Sequence, residues 1–208
     1  MPKDNYSALK EKDILFSLAY LPPVEYFMLF NKAENVFIEQ HEFYQKQSYR
    51  NRCLIASSNG VMPLTIPVEK SGKELYKDVK ISTHTDWQTL HWRAIEASYS
   101  SSPFFEYYSD EFRVIFEKKW VFLWDFNFEL LNKTVELLEI EKEIQLTERY
   151  EAQPAGVYDV RELIHPKKEM VANVPSYYQV FGQKNGFRSG LSILDLLLNM
   201  GNESQLLL

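Results

Sequence analysis

From Ile14 to Leu21 the chain reads Ile-Leu-Phe-Ser-Leu-Ala-Tyr-Leu, with charge before it and Pro22-Pro23 after it. A run of that length and apolarity predicts a strand buried on both faces. Prolines cannot continue a sheet ladder but are tolerated in a first helical turn, and Val24, Phe27, Met28, Leu29 and Phe30 then space a short helix ending near Lys32. Asn35–Glu39 reads as a second strand, so strand, helix and strand form a parallel βαβ unit. Arg52–Ser57 and Val61–Val68 are two extended runs around Ser58-Asn59-Gly60. Asn-Gly predicts a tight hairpin with positive φ at both turn positions, and Pro63 and Pro67 place the second run at an edge or bulge. Lys77–Ser82 alternates as a further short strand.

From Asp86 the period becomes helical. Asp86 is an expected N-cap, with Trp87, His91, Ile95 and Tyr99 following at four-residue steps. Ser102-Pro103 opens a second helix striped by Phe105, Tyr108, Phe112, Ile115 and Phe116. A third is expected from about Asp125 to Glu139, with Phe128, Leu131, Val135 and Leu138 inward. Ile144–Tyr150 alternates as a strand, Gln153–Gly156 is a break, and Val157–Lys168 is mixed. The terminal unit from Tyr177 holds a short helix, Ser192–Met200, stopped by Gly201. Gly182, Gly186 and Gly190, set among polar residues, read as a loop. The expected architecture is α/β: a parallel βαβ core, an antiparallel hairpin and a helical C-terminal half. One domain is expected over 1–208, strand-rich in 12–84, helix-rich in 85–140, with a C-terminal extension over 150–208.

Composition removes several function classes. The net charge of -6 argues against a nucleic-acid partner, because phosphate-backbone binding needs clustered positive charge. Seven glycines leave neither a GxGxxG nor a GxxxxGK[ST] loop. One cysteine and four histidines without ligand spacing predict no metal site, and no cofactor is indicated. Apolar runs fall far short of the roughly 20 residues of a membrane span, and Met1–Asn5 lacks a signal peptide's apolar core, so the expected location is cytoplasmic.

Three places carry candidate chemistry. Tyr20 and Tyr26 flank the strand-to-helix turn, on the side where open α/β sheets bind ligands; a proline-fixed turn with packed tyrosines is the alternative. Glu39–Arg52 mixes Glu39, Glu42, Lys46, Tyr49, Arg50, Asn51 and Arg52, a candidate cradle for phosphate or carboxylate, or simply a solvated face. His91 sits on an apolar helix face, as a general base or as a hydrogen-bonded core residue.

Tyr20-Leu21-Pro22 with Tyr26-Phe27, Lys46-x-Ser48-Tyr49-x-Asn51-Arg52 and Gly60…Leu64-Thr65-Ile66-Pro67-Val68 together resemble the WbqC-like family of bacterial proteins. Trp87-x-x-x-His91, Ile95, Tyr99, Pro103-Phe104-Phe105 and the tail Gly186-Phe187…Leu191–Leu197…Asn199-x-Gly201 continue the order. The resemblance implies a role in O-antigen or other surface polysaccharide synthesis, with transfer of a small acyl or aminoacyl group to a sugar as one form. The expectation is a group-transfer enzyme acting on an activated sugar or nucleotide-sugar. Lys46, Arg50 or Arg52 would hold the anion, and Asn51 and Tyr20 would orient polar groups. His91 would take the proton, with Glu39 or Glu42 orienting it or serving as the base. Tyr26, Tyr49 and Thr65 complete the expected binding set. The rival is a non-catalytic module binding a saccharide or protein through exposed rings.

Overall fold

The computed structural model describes residues 12–69 and 72–208, so the polar stretch Met1–Asn5 lies outside the described residues. Strand β1 (Ile14–Ser17), helix α1 (Val24–Lys32) and strand β2 (Val36–Glu39) form the expected parallel unit, with Ile14 opposite Val36 and Ser17 opposite Glu39. Only the first half of the apolar run enters the sheet. Leu18–Leu21 peel away: the Tyr20 N–H donates to the Tyr49 carbonyl at 2.8 Å, and Leu21 takes φ 41° to turn the chain into Pro22. These residues are buried by neighbouring loops and helices, which explains a strand-like composition outside a strand.

Two further parallel strands widen the sheet. β5 (Ile144–Leu146) pairs with β2 and β6 (Tyr158–Asp159) with β1, giving the order β5-β2-β1-β6, apart from the hairpin strands β3 (Arg52–Ser57) and β4 (Gly60–Thr65). α1 covers one sheet face with rings, Tyr26 and Phe30 lying 4.6 and 5.8 Å from Phe16.

The hairpin is β3 (Arg52–Ser57) with β4 (Gly60–Thr65). Ser57 pairs with Gly60, so Ser58 and Asn59 are the turn, and of the three only Gly60 has positive φ, at 113°. Glycine therefore serves just past a turn of ordinary hand, as in bulged hairpins, and Asn59 does not need the mirror-image conformation. Lys77–Ser82 is not a strand. Tyr76–Asp78 winds as a 3₁₀ turn, and only single bridges, Val68 to Ile81 and Lys80 to Phe122, remain. The turn carries the Tyr76 ring into the core, where its hydroxyl donates to the Arg50 carbonyl at 3.1 Å.

Helix α2 (Trp87–Tyr99) begins at its Asp86 cap, which accepts the Thr89 N–H; α3 (Phe105–Glu117) and α4 (Leu123–Leu137) follow. α4 starts before Asp125 because the Leu123 N–H is held by the Val79 carbonyl at 2.9 Å. That start turns Phe126, Asn127 and Leu130 fully inward and leaves Phe128 half-buried. A single turn, α5 (Gly182–Asn185), interrupts the glycine-containing loop. α6 (Ile193–Met200) then buries every residue from Ile193 to Asn199. It joins the rest through the Ser192 N–H to the Leu54 carbonyl at 2.7 Å. Gly201 ends it at φ 56°, and a Cβ there would lie 2.6 Å from the Phe104 ring.

Candidate functional site

The chain leaves β1 for β2 on one flank and later sets β6 on the other. Strand order therefore reverses between β1 and β6, and open α/β sheets take ligands in the crevice at the carboxyl ends of strands at such a point. Ser17 ends β1, Glu39 ends β2, Asp159 ends β6 and Thr147 directly follows β5.

Two buried guanidinium groups organise these ends. Arg50, 3% exposed, donates from Nε to Glu42 Oε1 at 3.0 Å and from Nη2 to Glu42 Oε2 at 2.6 Å and Ser17 Oγ at 2.9 Å. Ser17 Oγ in turn donates to Glu42 Oε2 at 2.9 Å. Arg161, 6% exposed, makes a fork onto Asp159, Nε to Oδ1 at 2.9 Å and Nη2 to Oδ2 at 2.6 Å. Its Nη1 donates to Glu39 Oε2 at 3.1 Å. Glu39 Oε1 accepts the His41 N–H and the Thr147 hydroxyl, both at 2.8 Å. Planar guanidinium suits this shared bidentate work. Burial opposes the charge on both arginines; Glu42 at Arg50, and Asp159 and Glu39 at Arg161, outweigh it and raise both pKa values. Burial also raises Glu42, against the opposing pull of Arg50 and Ser17.

Arg50 and Arg161 line one cavity of about 20 Å³ together with Ser17, Tyr26, Tyr49 and Ile164. On the open sheet face a groove of about 470 Å³ lies over Leu15, Phe37, Leu146, Pro154 and Val157 and reaches Glu39 and Thr147. The Arg161–Glu39 bond thus links the wall of the cavity to the wall of the groove.

Of the residues expected from sequence, Glu39, Glu42, Tyr26, Tyr49 and Arg50 meet here. Tyr26 donates its hydroxyl to the Ser17 carbonyl at 3.2 Å. Asn51 is next door in chain but faces the hairpin, donating to the Ile66 carbonyl at 2.9 Å. Arg52 reaches across the hairpin to the Thr65 hydroxyl at 3.2 Å, with Thr65 exposed, and Lys46 is exposed on the loop surface.

Tyr20 and His91 form a second, neutral cluster. His91, 7% exposed, holds Nδ1 2.9 Å from the Tyr20 hydroxyl, with Trp87 edge-on at 5.3 Å. Burial lowers its pKa to about 4, only partly offset by the Thr65 backbone, so the ring is neutral at pH 7. The ring is thus held between the Tyr20 hydroxyl on Nδ1 and the Thr65 backbone nearby. Cys53 lies beside the Tyr20 hydroxyl, and burial pushes its thiol up. Tyr20, rather than Glu39 or Glu42, is therefore the side chain that orients His91.

Ser17, Thr147, Asp159 and Arg161 were not among the expected site residues. The two-residue strand Tyr158–Asp159 is too short to show alternation, and only its place in the sheet explains the carboxylate and guanidinium beside it.

An open parallel sheet with charged side chains gathered at its switch point places the chain among the open-sheet α/β proteins. Residues 19–165 match the model of the WbqC-like protein family, and the chain belongs to that family. It is 28% identical over 217 aligned positions, 89% of this chain and 92% of the relative, to the uncharacterized protein Rv1507c of Mycobacterium tuberculosis (strain ATCC 25618 / H37Rv). No solved structure matches it significantly. Among the described residues no helix is long and apolar enough to cross a membrane.

Proposed function

We propose that the chain is a group-transfer enzyme acting on an activated sugar or a related phosphorylated small molecule, as surface polysaccharide synthesis requires. The observation that carries this reading is the placement of Arg50 and Arg161 on one cavity at the switch point, beside a groove of ligand size. The apolar floor of the groove suits the flat face of a sugar or base, and the guanidiniums suit a leaving phosphate by exchanging a carboxylate partner for it. In the transfer, an acceptor oxygen or nitrogen bonds to the electrophilic centre while the bond to the leaving group breaks. The acceptor's proton goes to Glu42 or Glu39, and burial already raises the proton affinity of Glu42. His91 acts through Tyr20 as a positioning residue for the turn whose Leu18 and Ala19 line the cavity.

A thermal-shift screen against nucleotide sugars, acyl-CoA thioesters and amino acids tests the reading. A ligand at ~100 times its dissociation constant adds about 2.7 kcal/mol, a shift of several degrees at this size. Arg161→Lys, which keeps the charge but loses the fork, should abolish that shift. A folded protein that responds to none of these compounds sinks the proposal. The second reading, a saccharide-binding module, is favoured by one feature, a groove of about 270 Å³ lined by Phe104, Tyr107, Tyr108, Met200, Asn202 and Glu203, with Tyr107 75% exposed. Saccharide binding lost on Tyr107→Ala and untouched by Arg161→Lys would select it.

A further inference from the structure

The cavity between Arg50 and Arg161 has room for about one water, whereas small-molecule sites occupy roughly 300–1,000 Å³. A substrate group reaches those guanidiniums only if part of the lining moves. Of the lining residues, Phe16 and Ser17 end a central strand, Leu18 and Ala19 carry it into the turn, Tyr26 stands on α1, and Tyr49 is tied through its carbonyl to Tyr20. Ile164 belongs to a different kind of segment. From Val160 to Val180 the chain has no strand or helix, and stretches of that length inside a compact fold are commonly lids or binding loops.

We propose that Glu162–Ala172 is a lid over the switch-point cavity, latched by Glu25; this rests on the reading of that cavity as the substrate site. The lid meets the Glu39–Arg52 loop through polar side chains: Glu162 with Gln45 and, at 4.0 Å, with the buried Arg50, and Lys167 Nζ with Gln47 Oε1 at 2.5 Å. Its internal backbone bonds are local: Leu163 and Ile164 donate to Val160, and Lys168 to His165. The far end is held differently. Glu25, 4% exposed on the first turn of α1, accepts the Val171 N–H at 2.7 Å and the Ala172 N–H at 3.4 Å on one oxygen, Oε2. It stands beside Tyr26, which lines the cavity. Leu163, Ile164, Met170 and Val171 are only partly buried against the core, and a segment held by such partial packing and one buried carboxylate opens locally, before the core does. Opening removes Ile164 from the lining and exposes the cavity without disturbing the sheet.

Limited trypsin digestion of the full chain, with fragments weighed by mass spectrometry, tests this, because Lys167 and Lys168 are exposed on the lid. The first cut should fall after one of them. Glu25→Ala should speed it about tenfold, the effect of losing a charge-assisted bond on an open population, and Glu25→Gln, which keeps an acceptor, should speed it less. Hydrogen exchange in the unaltered protein gives a readout that no folding defect can confuse: the Val171 and Ala172 amides should exchange through a local opening, at a rate insensitive to low denaturant. Amides protected as strongly as Leu196 and Leu197, with first cuts elsewhere, overturn the lid. UDP-glucose should slow the cut at Lys167 and Lys168. Fast local exchange that UDP-glucose leaves unchanged keeps the lid and counts against a nucleotide-sugar substrate.

Discussion

Two buried polar regions of this chain are built on opposite principles. At the carboxyl edge of the sheet, Glu39, Glu42, Asp159, Arg50 and Arg161 form ion pairs around a space. In the cluster at the hairpin, Tyr20 is hydrogen-bonded to His91 with Cys53 and the Thr65 backbone beside them, all neutral and outside the lining of that cavity. Neutral groups that saturate one another stabilise a core at little desolvation cost. Buried ions do so poorly, since desolvation consumes most of their attraction, and replacing such pairs by apolar side chains is often neutral. A fold that keeps five ionisable groups at one sheet edge gains little stability from them, which is consistent with their serving a ligand.

The largest test of this contrast breaks an ion pair. Arg50→Met leaves Glu42 buried without its partner and should cost about 3–5 kcal/mol in urea unfolding, whereas the double change Arg50→Met with Glu42→Met should recover more than half of that. If the double variant is as unstable as the single one, the pair is a structural necessity and the contrast fails.

A second test uses two buried groups that titrate in opposite senses. Asp195, on α6, accepts the Tyr177 hydroxyl and the Gln179 amide, each at 2.7 Å, with Tyr99 also beside it. Burial without a cation raises its pKa to about 6, from 3.8. The protonated form is favoured in the fold, so its contribution is complete below pH 3.8 and is lost as pH rises through 6. His91, lowered from 6.5 to about 4, works the other way: its contribution is present above pH 6.5 and is lost as pH falls through 4. Each displacement is worth roughly 3 kcal/mol, so the two slopes largely cancel between pH 4 and 6.5. Asp195→Asn should leave stability rising with pH across that window, and His91→Gln should leave it falling. Parallel slopes in the two variants would show that these sites do not titrate as their burial requires.

The smallest expected effect is at Lys46, exposed beside the ionic edge. Lys46→Ala should leave unfolding within about 0.5 kcal/mol of the parent, as surface changes away from special features do. A loss above 1 kcal/mol by chemical denaturation would mean that the ionic edge extends onto the loop surface.

Much of the fold is legible in the sequence where a local signal coincides with a tertiary one. Ile14–Leu21 announces a buried segment and Pro22-Pro23 the entry to α1, and Trp87, His91, Ile95 and Tyr99 mark the inward stripe of α2. The misreadings share a cause. Leu18–Leu21, Tyr76–Asp78 and the start of α4 are settled by bonds to distant residues, namely Tyr49, Arg50 and Val79. The site divides in the same way. Glu39, Glu42 and Arg50 sit in one charged stretch that can be read directly, while Arg161 is 122 positions from the Glu39 it bonds.

By itself the sequence determines the α/β class, the parallel βαβ unit, the hairpin, the main helices and the family, because periodicity, turn residues and motif order are local and survive in one dimension. The tertiary structure alone decides that the strand order reverses between β1 and β6, that Arg50 and Arg161 share one cavity there, and that His91 is paired with Tyr20. Those facts depend on which segments lie side by side, and a pairing between segments far apart in the chain leaves no periodic trace in either of them.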